Sequence, residues 1–446
     1  MPINSSHVPD GHRVQRPGLW LPEDHRAHQK WLQDTVNHVD ENPKDFHPAV
    51  RELEELIENN SRIHMLAQGM FDEIPDKHPY NKDPSGKMSI RGCKHMLAVL
   101  NHLITTSPGW SKQSENVGLV GLPIYALFDW PMGTTFGFSF FLDPQVNGLL
   151  KKILNVWGEY LKSEDSREPS LSDKFGWFTD SGRKDLATVA NLGEESDKAL
   201  PFEQMFQCDP SKPYHGYKSW DDFFTREFHW DKRPVAEPEN QNVIANACES
   251  TAYRVARDVK ARDKFWLKGM PYSVKDILQN DPNYEQFVGG TIYQAFLSAL
   301  SYHRWHTPVD GTVKKITHVE GTYYSEPLFE DFGRHPEHAN EEGQTESQGY
   351  LTAAAARALV FIEADNPKIG LMCVVLIGMS EVSSNDVTVK EGQKIKKGEQ
   401  LGMFHFGGST HCLMFRKGVK VSGFPEPGKA KHNIPVRSKV AIVEDR

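Results

Sequence analysis

The sequence predicts an α+β protein in which a helical N-terminal domain is followed by a β-rich domain. From about residue 46 to 165, apolar residues recur at the three- and four-residue spacing of helices that bury one face. Past residue 240, short β-branched runs are separated by glycine and proline, which is typical of strands joined by turns. The chain has 446 residues. Two structural units are therefore expected.

Three segments are predicted along the chain. Residues 1–45 are rich in His, Pro, Asp and Asn without clean periodicity, so we expect an extended arm with at most one short helix. Residues 46–200 are assigned to the helical domain, which ends in a polar connection beginning near residue 163. Residues 201–446 are assigned to the β-rich domain.

Helical periodicity is clearest from Val146 to Leu161, where apolar residues follow i, i+3, i+4, i+7 spacing. Similar spacing at residues 50–57 and 96–103 predicts two further helices. Residues 118–141 are apolar and aromatic but interrupted by glycine and proline. We expect this run to be buried irregular backbone or, as the alternative, one wall of a pocket.

The β-rich domain has several predicted strands, at residues 311–319, 358–363, 370–378 and 436–443. Glycines at 392, 398 and 402 mark tight turns that lead into a further strand and fix its register. This pattern predicts a small barrel or a flattened sandwich.

Composition and charge exclude several function classes. The net charge of −9 argues against a nucleic-acid partner and against a polybasic membrane anchor. The apolar run at residues 371–379 is about half the ~20 residues of a spanning helix, so no stable membrane insertion is expected. The N-terminus has no secretory pattern, and the five cysteines are scattered without a CxxC pair. A reducing, cytoplasmic location is expected.

A glycine pair precedes a serine directly after the strand to which these turns lead, in the order Gly407, Gly408, Ser409. Glycine reaches backbone conformations that are closed to other residues, so the pair permits a sharp turn that presents the serine hydroxyl. The pattern is not the GxSxG elbow of hydrolases, because a strand-like run rather than a helix follows. Taken alone, such a tripeptide is usually a linker or a turn.

A second candidate group lies at residues 302–311, which read YHRWHTPVDG. On a helical turn, His303 and His306 would project from the same side. One histidine would then act as a base for a nucleophile and the other as a proton donor. Two alternatives remain open. The two histidines are ordinary surface residues in a chain with 20 histidines, or they bind zinc, although no Cys or Glu stands at a supporting spacing.

Together, the runs YHRWHTPVDG at 302–311 and FHFGGST at 404–410 resemble the paired signatures of the phosphatidylserine decarboxylase family. Residues 219–235 and 374–384 are similar to two further segments of that family. The resemblance covers about residues 215–445. With its helical N-terminal domain, the chain resembles the fungal branch of the family that decarboxylates tryptophan in psilocybin biosynthesis.

The resemblance implies that the enzyme cuts its own chain between Gly408 and Ser409. The products are a β chain of residues 1–408 and an α chain of residues 409–446. Ser409 becomes a pyruvoyl cofactor, so pyridoxal phosphate is not expected, and no metal is expected either. The resemblance also implies His306 as the base for the Ser409 hydroxyl and His303 as the proton donor in decarboxylation.

One position departs from the family pattern. Members that act on phospholipid usually have a Pro-x-Asp-Gly turn whose aspartate orients the catalytic histidine, whereas residues 247–250 here read ACES. The resemblance implies Glu249, one methylene longer, as the orienting carboxylate. Asp310, in the turn after the histidines, is the competing candidate.

The expected substrate is a small molecule, a free L-amino acid that is aromatic and tryptophan-like. The charge of −9 and the added helical domain favour it over a two-chain lipid. Phosphatidylserine, converted to phosphatidylethanolamine, is the alternative. A catalytically inactive binding module is a third hypothesis, and the intact Gly-Gly-Ser run and both histidines argue against it.

Overall fold

Helices fill the N-terminal half of the chain and antiparallel sheets fill the C-terminal half, so the predicted α+β class is confirmed. The structure is a computed structural model. It describes residues 25–75, 80, 89–110, 122–193, 198–263, 272–297, 300–325, 343–379, 381, 385–406, 408–429 and 432–444.

The described helices include the three that the sequence predicts. Residues 50–57, 96–103 and 146–161 lie in α2, α4 and α7 of the following set. The helices are α1 (His25–Glu41), α2 (Pro48–Asn59), α3 (Ser61–Asp72), α4 (Cys93–Leu103), α5 (Pro123–Met132), α6 (Thr135–Leu142), α7 (Pro144–Lys162), α8 (Asp180–Ala190), α9 (Phe202–Met205), α10 (Trp220–Phe224), α11 (Val274–Ile277), α12 (Tyr284–Phe287) and α13 (Gly343–Ala354).

The prediction of an extended arm is wrong for the part of residues 1–45 that the structure describes. Helix α1 is 17 residues long and buries Leu32, Val36 and Val39. These residues recur at i, i+4 and i+7 and form a core-facing stripe. Polar residues and histidines surround the stripe in the sequence and obscure it. Residues 1–24 lie outside the described residues.

The apolar run at residues 118–141 is helical rather than irregular where the structure describes it. Helices α5 and α6 occupy most of it, and all ten residues of α5 are buried. A helix buried on every side has no polar face, so it lacks the amphipathic period on which sequence prediction depends. Pro123 at the first position of α5 is compatible with a helix start. Residues 118–121 are outside the described ranges.

The strands of the C-terminal half match the predicted runs closely. Residues 311–319 form β5, residues 370–378 lie almost wholly in β7, and a long strand follows Gly407. The strands are β1 (Val243–Ala245), β2 (Thr251–Arg257), β3 (Thr291–Leu297), β4 (Arg304–His306), β5 (Gly311–Val319), β6 (Arg357–Ala364), β7 (Leu371–Met379), β8 (Asn385–Val387), β9 (Lys394–Ile395), β10 (Gln400–Phe404), β11 (Gly408–Phe415), β12 (Val421–Ser422) and β13 (Lys439–Val443).

These strands form one large antiparallel sheet and two small ones. The large sheet has the order β2-β3-β11-β7-β6-β5-β9, and the small sheets have the orders β4-β10-β8 and β1-β13-β12. Strand β11 lies inside the large sheet, hydrogen-bonded to β3 on one side and β7 on the other. The chain segment that begins at Gly408 is therefore held on both sides.

Alternate residues of β11 enter two separate hydrophobic cores. Leu413 and Phe415 pack into one core, and Cys412 and Met414 pack into the other. This is the two-residue period of a strand buried on both faces. The helical half forms its own core, which also contains Tyr302 and residue 406 of the β-rich half. The helices thus pack directly against the segment that leads into β11.

Candidate active site

Ser409 lies at the second position of β11, in the interior of the large sheet. It is opposite Leu297 of β3 and Gly378 of β7, and it is fully buried. Among the described residues, its Oγ atom has no hydrogen-bond partner. Leaving a buried polar group unpaired costs about 1–3 kcal/mol, so such groups call for an explanation. A role in chemistry is one such explanation.

The two glycines before Ser409 are only partly described. Gly408 is the first residue of β11 and is opposite Met379, the last residue of β7. The backbone on both sides of the Gly408–Ser409 bond is therefore anchored to β7. Gly407, which the sequence assigns to the turn, lies outside the described residues.

His306 ends strand β4, and both of its ring nitrogens are hydrogen-bonded. Nδ1 lies 2.9 Å from the carbonyl oxygen of Gly398, and Nε2 lies 3.1 Å from the hydroxyl of Tyr302. Because a carbonyl can only accept, Nδ1 carries the proton and the Nε2 lone pair accepts from Tyr302. Burial lowers the pKa of His306 to about 3. The ring is therefore a neutral, oriented base at physiological pH.

The expectation that His303 and His306 share one side of a helical turn is wrong. Residues 304–306 form strand β4, and residues three apart on extended backbone point to opposite faces. His303 is buried and its ring stacks on Phe224 of α10, with ring centroids 4.1 Å apart. His306 instead lies beside Tyr302, so the two histidines have different surroundings. Neither is hydrogen-bonded to the Ser409 hydroxyl.

No hydrogen bond joins the Glu249 carboxylate to the His306 ring in the described part of the chain, so the orienting role that the sequence resemblance implies stays a prediction. Its Oε2 atom accepts from Nε of Arg233 at 2.9 Å and from the backbone N–H of Val436 at 2.7 Å. Its Oε1 atom accepts from Nη2 of Arg233 at 2.5 Å. Both side chains are buried, and the Arg233 guanidinium also lies over the ring of Phe228. Glu249 therefore neutralises a buried arginine.

Asp310 also makes no hydrogen bond to His306, but it is hydrogen-bonded to the turn at Lys397 and Gly398, whose backbone contacts His306. Its Oδ1 atom accepts from the backbone N–H of Lys397 at 2.9 Å. The next residue, Gly398, has a φ of +83° and presents its carbonyl to His306. A side chain at Gly398 would be strained by that φ and would clash with Val235. Asp310 thus contributes to the orientation of His306 through the backbone.

Aromatic side chains of the helical half enclose the segment before the Gly-Gly-Ser run. The ring of Phe406 makes edge-to-face contacts with Trp157 of α7 at 4.7 Å and with Trp220 of α10 at 4.6 Å. Phe224, which stacks on His303, lies 5.5 Å from Phe406. Phe406 is buried by this packing, so aromatic rings surround the residue that precedes the Gly-Gly-Ser run.

His405 is a residue of this region that sequence reasoning missed. Its Nδ1 lies 3.0 Å from both carboxylate oxygens of Asp221 in α10, and its Nε2 lies 3.3 Å from Asp386 of β8. Burial alone would lower its pKa, but the hydrogen bonds and charge of Asp221, with help from Asp386, raise it. His405 thus links the helical half to the strand that leads to Ser409. The contacts of Tyr302 and Gly398 with His306 were missed as well, although Tyr302 begins the run at residues 302–311 and Gly398 is one of the predicted turn glycines.

Among the described residues, no group of three or more His, Cys, Asp or Glu side chains is arranged to hold a metal ion. No described helix is long and apolar enough to cross a membrane.

Comparisons with known proteins identify the class of enzyme. Two family models match, both described as phosphatidylserine decarboxylase, one over residues 47–186 and the other over residues 220–437. These matches, together with the relatives below, show that the protein is a carboxy-lyase. The chain belongs to the phosphatidylserine decarboxylase family, a pyruvoyl-dependent family, as the sequence resemblance implied.

Several curated relatives are similar over most of the chain. Decarboxylase iboD of Amanita muscaria is 44% identical over 72% of this chain and 91% of its own length. The L-tryptophan decarboxylase of Psilocybe cubensis is 36% identical over 85% of this chain and 83% of its own length. A phosphatidylserine decarboxylase proenzyme of Schizosaccharomyces pombe is 29% identical over 49% of this chain and 21% of its own length. The chain is thus more similar to iboD and to the L-tryptophan decarboxylase than to this phosphatidylserine decarboxylase proenzyme.

Proposed function

We propose that the protein decarboxylates a free L-amino acid, aromatic and tryptophan-like, with a pyruvoyl group that it makes from Ser409. The observation that carries this proposal is the Ser409 hydroxyl, which is buried in the large sheet without a described partner. Two relatives named L-tryptophan decarboxylases, which are similar over more than four fifths of both chains, support the substrate class.

The first proposed step is cleavage of the chain by its own serine. The Ser409 oxygen attacks the Gly408 carbonyl carbon, the peptide C–N bond breaks, and the proton passes from the hydroxyl through a base to the amine. Elimination then removes the Cα proton of residue 409, breaks its Cβ–O bond and frees the Gly408 carboxylate, which leaves an enamine. The enamine takes up a proton at Cβ to become an imine, and addition of water with loss of ammonia leaves the pyruvoyl group on the α chain.

His306 is the proposed base, and its neutral form supports this role. Its Nε2 lone pair is occupied by the Tyr302 hydroxyl. The Ser409 proton therefore reaches His306 in one of two ways. The serine displaces Tyr302 from Nε2, or Tyr302 passes the proton on.

The surroundings of Ser409 fit a small, uncharged group. The residue is buried within the sheet, and the aromatic rings around Phe406 border the segment that precedes it. In the mature enzyme, the pyruvoyl carbonyl supplies the electron sink for loss of carbon dioxide. His303 is the proposed donor of the proton that replaces the lost carboxylate. Its stacking on Phe224 fixes the plane of its ring.

Intact-mass measurement and a product screen test the proposal together. The purified protein should contain fragments of residues 1–408 and 409–446, the second blocked by pyruvate, whereas Ser409→Ala should stay uncut. Without added pyridoxal phosphate, it should release an amine from tryptophan or a related amino acid. An α chain that begins with ordinary serine, or an uncut wild-type chain with full activity, would refute the pyruvoyl mechanism.

Phosphatidylserine is the second candidate substrate, since both matching family models carry that description. The product screen therefore includes phosphatidylserine in detergent micelles at a matched concentration. Turnover of the lipid, with no amine formed from any free amino acid, would replace the first candidate by the second.

A further inference from the structure

Glu381 lies close to the proposed cleavage site, although neither the sequence pattern nor the proposed reaction assigns it a role. It comes two residues after Met379, which is opposite Gly408. Two residues of chain span at most about 7 Å, so the backbone of Glu381 stays near the start of β11. Its side chain is buried.

The two carboxyl oxygens of Glu381 have different surroundings. Oε1 accepts from the backbone N–H groups of Ile124 and Tyr125, in the first turn of α5, at 2.7 and 2.9 Å. Oε2 is buried and has no hydrogen-bond partner among the described residues. Burial raises the pKa of Glu381 to about 8, despite the backbone hydrogen bonds, so the carboxyl is mostly protonated at neutral pH. Because Oε1 already accepts two hydrogen bonds, Oε2 is the oxygen that carries the proton.

Tyr324 provides a buried hydroxyl in addition to the buried carboxyl of Glu381. It is fully buried, interacts electrostatically with Glu381, and has no hydrogen-bond partner for its hydroxyl in the described part of the chain. Its ring packs edge-on against Phe128 of α5 at 4.8 Å and against Phe141 of α6 at 6.4 Å. Glu381 Oε2 and the Tyr324 hydroxyl are thus two buried polar atoms without a described hydrogen-bond partner. Aromatic rings of α5 and α6 pack against Tyr324, and the backbone of Glu381 lies near the start of β11.

We propose that Glu381 and Tyr324 recognise an N–H or O–H group on the aromatic ring of the substrate. This inference rests on the proposed amino-acid decarboxylase function and adds the residues that select the side chain. Each of the two groups can both donate and accept, so a ring N–H or O–H can donate to one member, and a ring hydroxyl can also accept from the other. A ring without such a group leaves buried polar groups unpaired, and this rejects a ligand more strongly than a missing methylene does.

The test uses pairs of product amines that differ at a single polar group. Tryptamine is compared with 1-methyltryptamine, and tyramine with phenethylamine, by calorimetric titration of the purified protein. An equilibrium measurement with amines does not depend on turnover, and the contribution of the shared amino group cancels within each pair. The wild-type protein should bind the N–H or O–H member at least tenfold more tightly in one pair or both.

Three variants locate the origin of that preference. Glu381→Gln keeps the acceptor for Ile124 and Tyr125 but replaces the free oxygen by an amide group that only donates. Tyr324→Phe removes the hydroxyl alone, and it carries the test if Glu381→Gln does not fold. Tyr323→Phe is the matched control, because the Tyr323 hydroxyl lies 3.5 Å from Glu320, away from the pair.

The inference holds if Tyr324→Phe and Glu381→Gln lose most of the preference while Tyr323→Phe retains it. It is overturned if those two variants keep the wild-type preference, or if wild-type protein that turns over a free amino acid shows no preference in either pair. Absence of amine binding together with turnover of phosphatidylserine alone would refute the proposed function, and this inference with it.

Discussion

The carbonyl oxygen of Gly398 accepts the Nδ1 proton of His306 at 2.9 Å. In catalytic triads a carboxylate usually occupies that position, where it also stabilises the imidazolium. A carbonyl fixes the tautomer but carries no full negative charge. Burial lowers the pKa of His306 to about 3 although the hydrogen bond to Gly398 opposes this shift, so the ring is neutral.

The first prediction separates the roles of the two histidines. His306→Ala should slow chain cleavage by about 10²–10⁴-fold, because a general base contributes about that much. His303→Ala should still be cut, because its ring is stacked on Phe224 in a different setting, but the mature protein should decarboxylate slowly. Gel analysis over time measures cleavage, and amine release measures turnover. Normal cleavage and full activity in both variants would contradict both assignments.

The second prediction concerns how the serine proton reaches His306. If Tyr302 passes the proton on, Tyr302→Phe should slow cleavage nearly as much as His306→Ala does. If Ser409 displaces Tyr302, removal of the hydroxyl should leave cleavage as fast as in the wild type or faster, because Nε2 is then free. Cleavage rates of the two variants, measured side by side from freshly translated protein, distinguish the routes. Equal wild-type rates in both variants would exclude His306 as the base.

Sequence periodicity predicted the regular elements of the fold well. Strands β5 and β7 and helix α7 each have enough residues for a repeating apolar pattern. Helix α5 could not be recognised in this way because it is buried on all sides. Strand β4 has three residues, too few to show any period, and the three-residue spacing of the two histidines suggests a helical turn instead.

The sequence indicated which residues belong to the candidate site, but it did not indicate which side chains contact one another there. The resemblance pointed to Ser409 and to both histidines, and these roles stay predictions. The partner of Glu249 is Arg233, and the partner of His405 is Asp221, 184 positions away in the sequence. Such pairs form only in the folded chain, and one sequence contains no signal for them.

The third prediction tests Glu249 as a structural residue. Glu249→Gln leaves Arg233 buried without a counter-charge, and breaking a buried ion pair costs about 3–5 kcal/mol. Urea unfolding should show that loss in the uncut Ser409→Ala background, where the chain stays in one piece. Glu320→Gln, which removes the exposed ion pair with Lys151, should cost less than about 1 kcal/mol and serves as the control. Unchanged stability of Glu249→Gln in this background, combined with lost cleavage when the same substitution is made in a chain that keeps Ser409, would instead favour the orienting role.

The last prediction is a pH dependence that arises at His405. Because Asp221 and Asp386 raise its pKa in the folded protein, its stabilising contribution is complete below the unfolded value of about 6.5 and is lost as the pH rises through the folded value. In the Ser409→Ala background, the melting temperature should therefore fall between about pH 6 and pH 9 by more than it does when His405→Gln is added. Asp386→Asn removes one of the two carboxylates and should give an intermediate slope. The charge of Lys162 opposes that of His405 and reduces its contribution. Other groups that titrate in this range are common to all three proteins. The difference between the slopes of melting temperature against pH therefore gives the contribution of His405. Parallel curves with His405 and with His405→Gln would show that the Asp221–His405 contact contributes no pH-dependent stability.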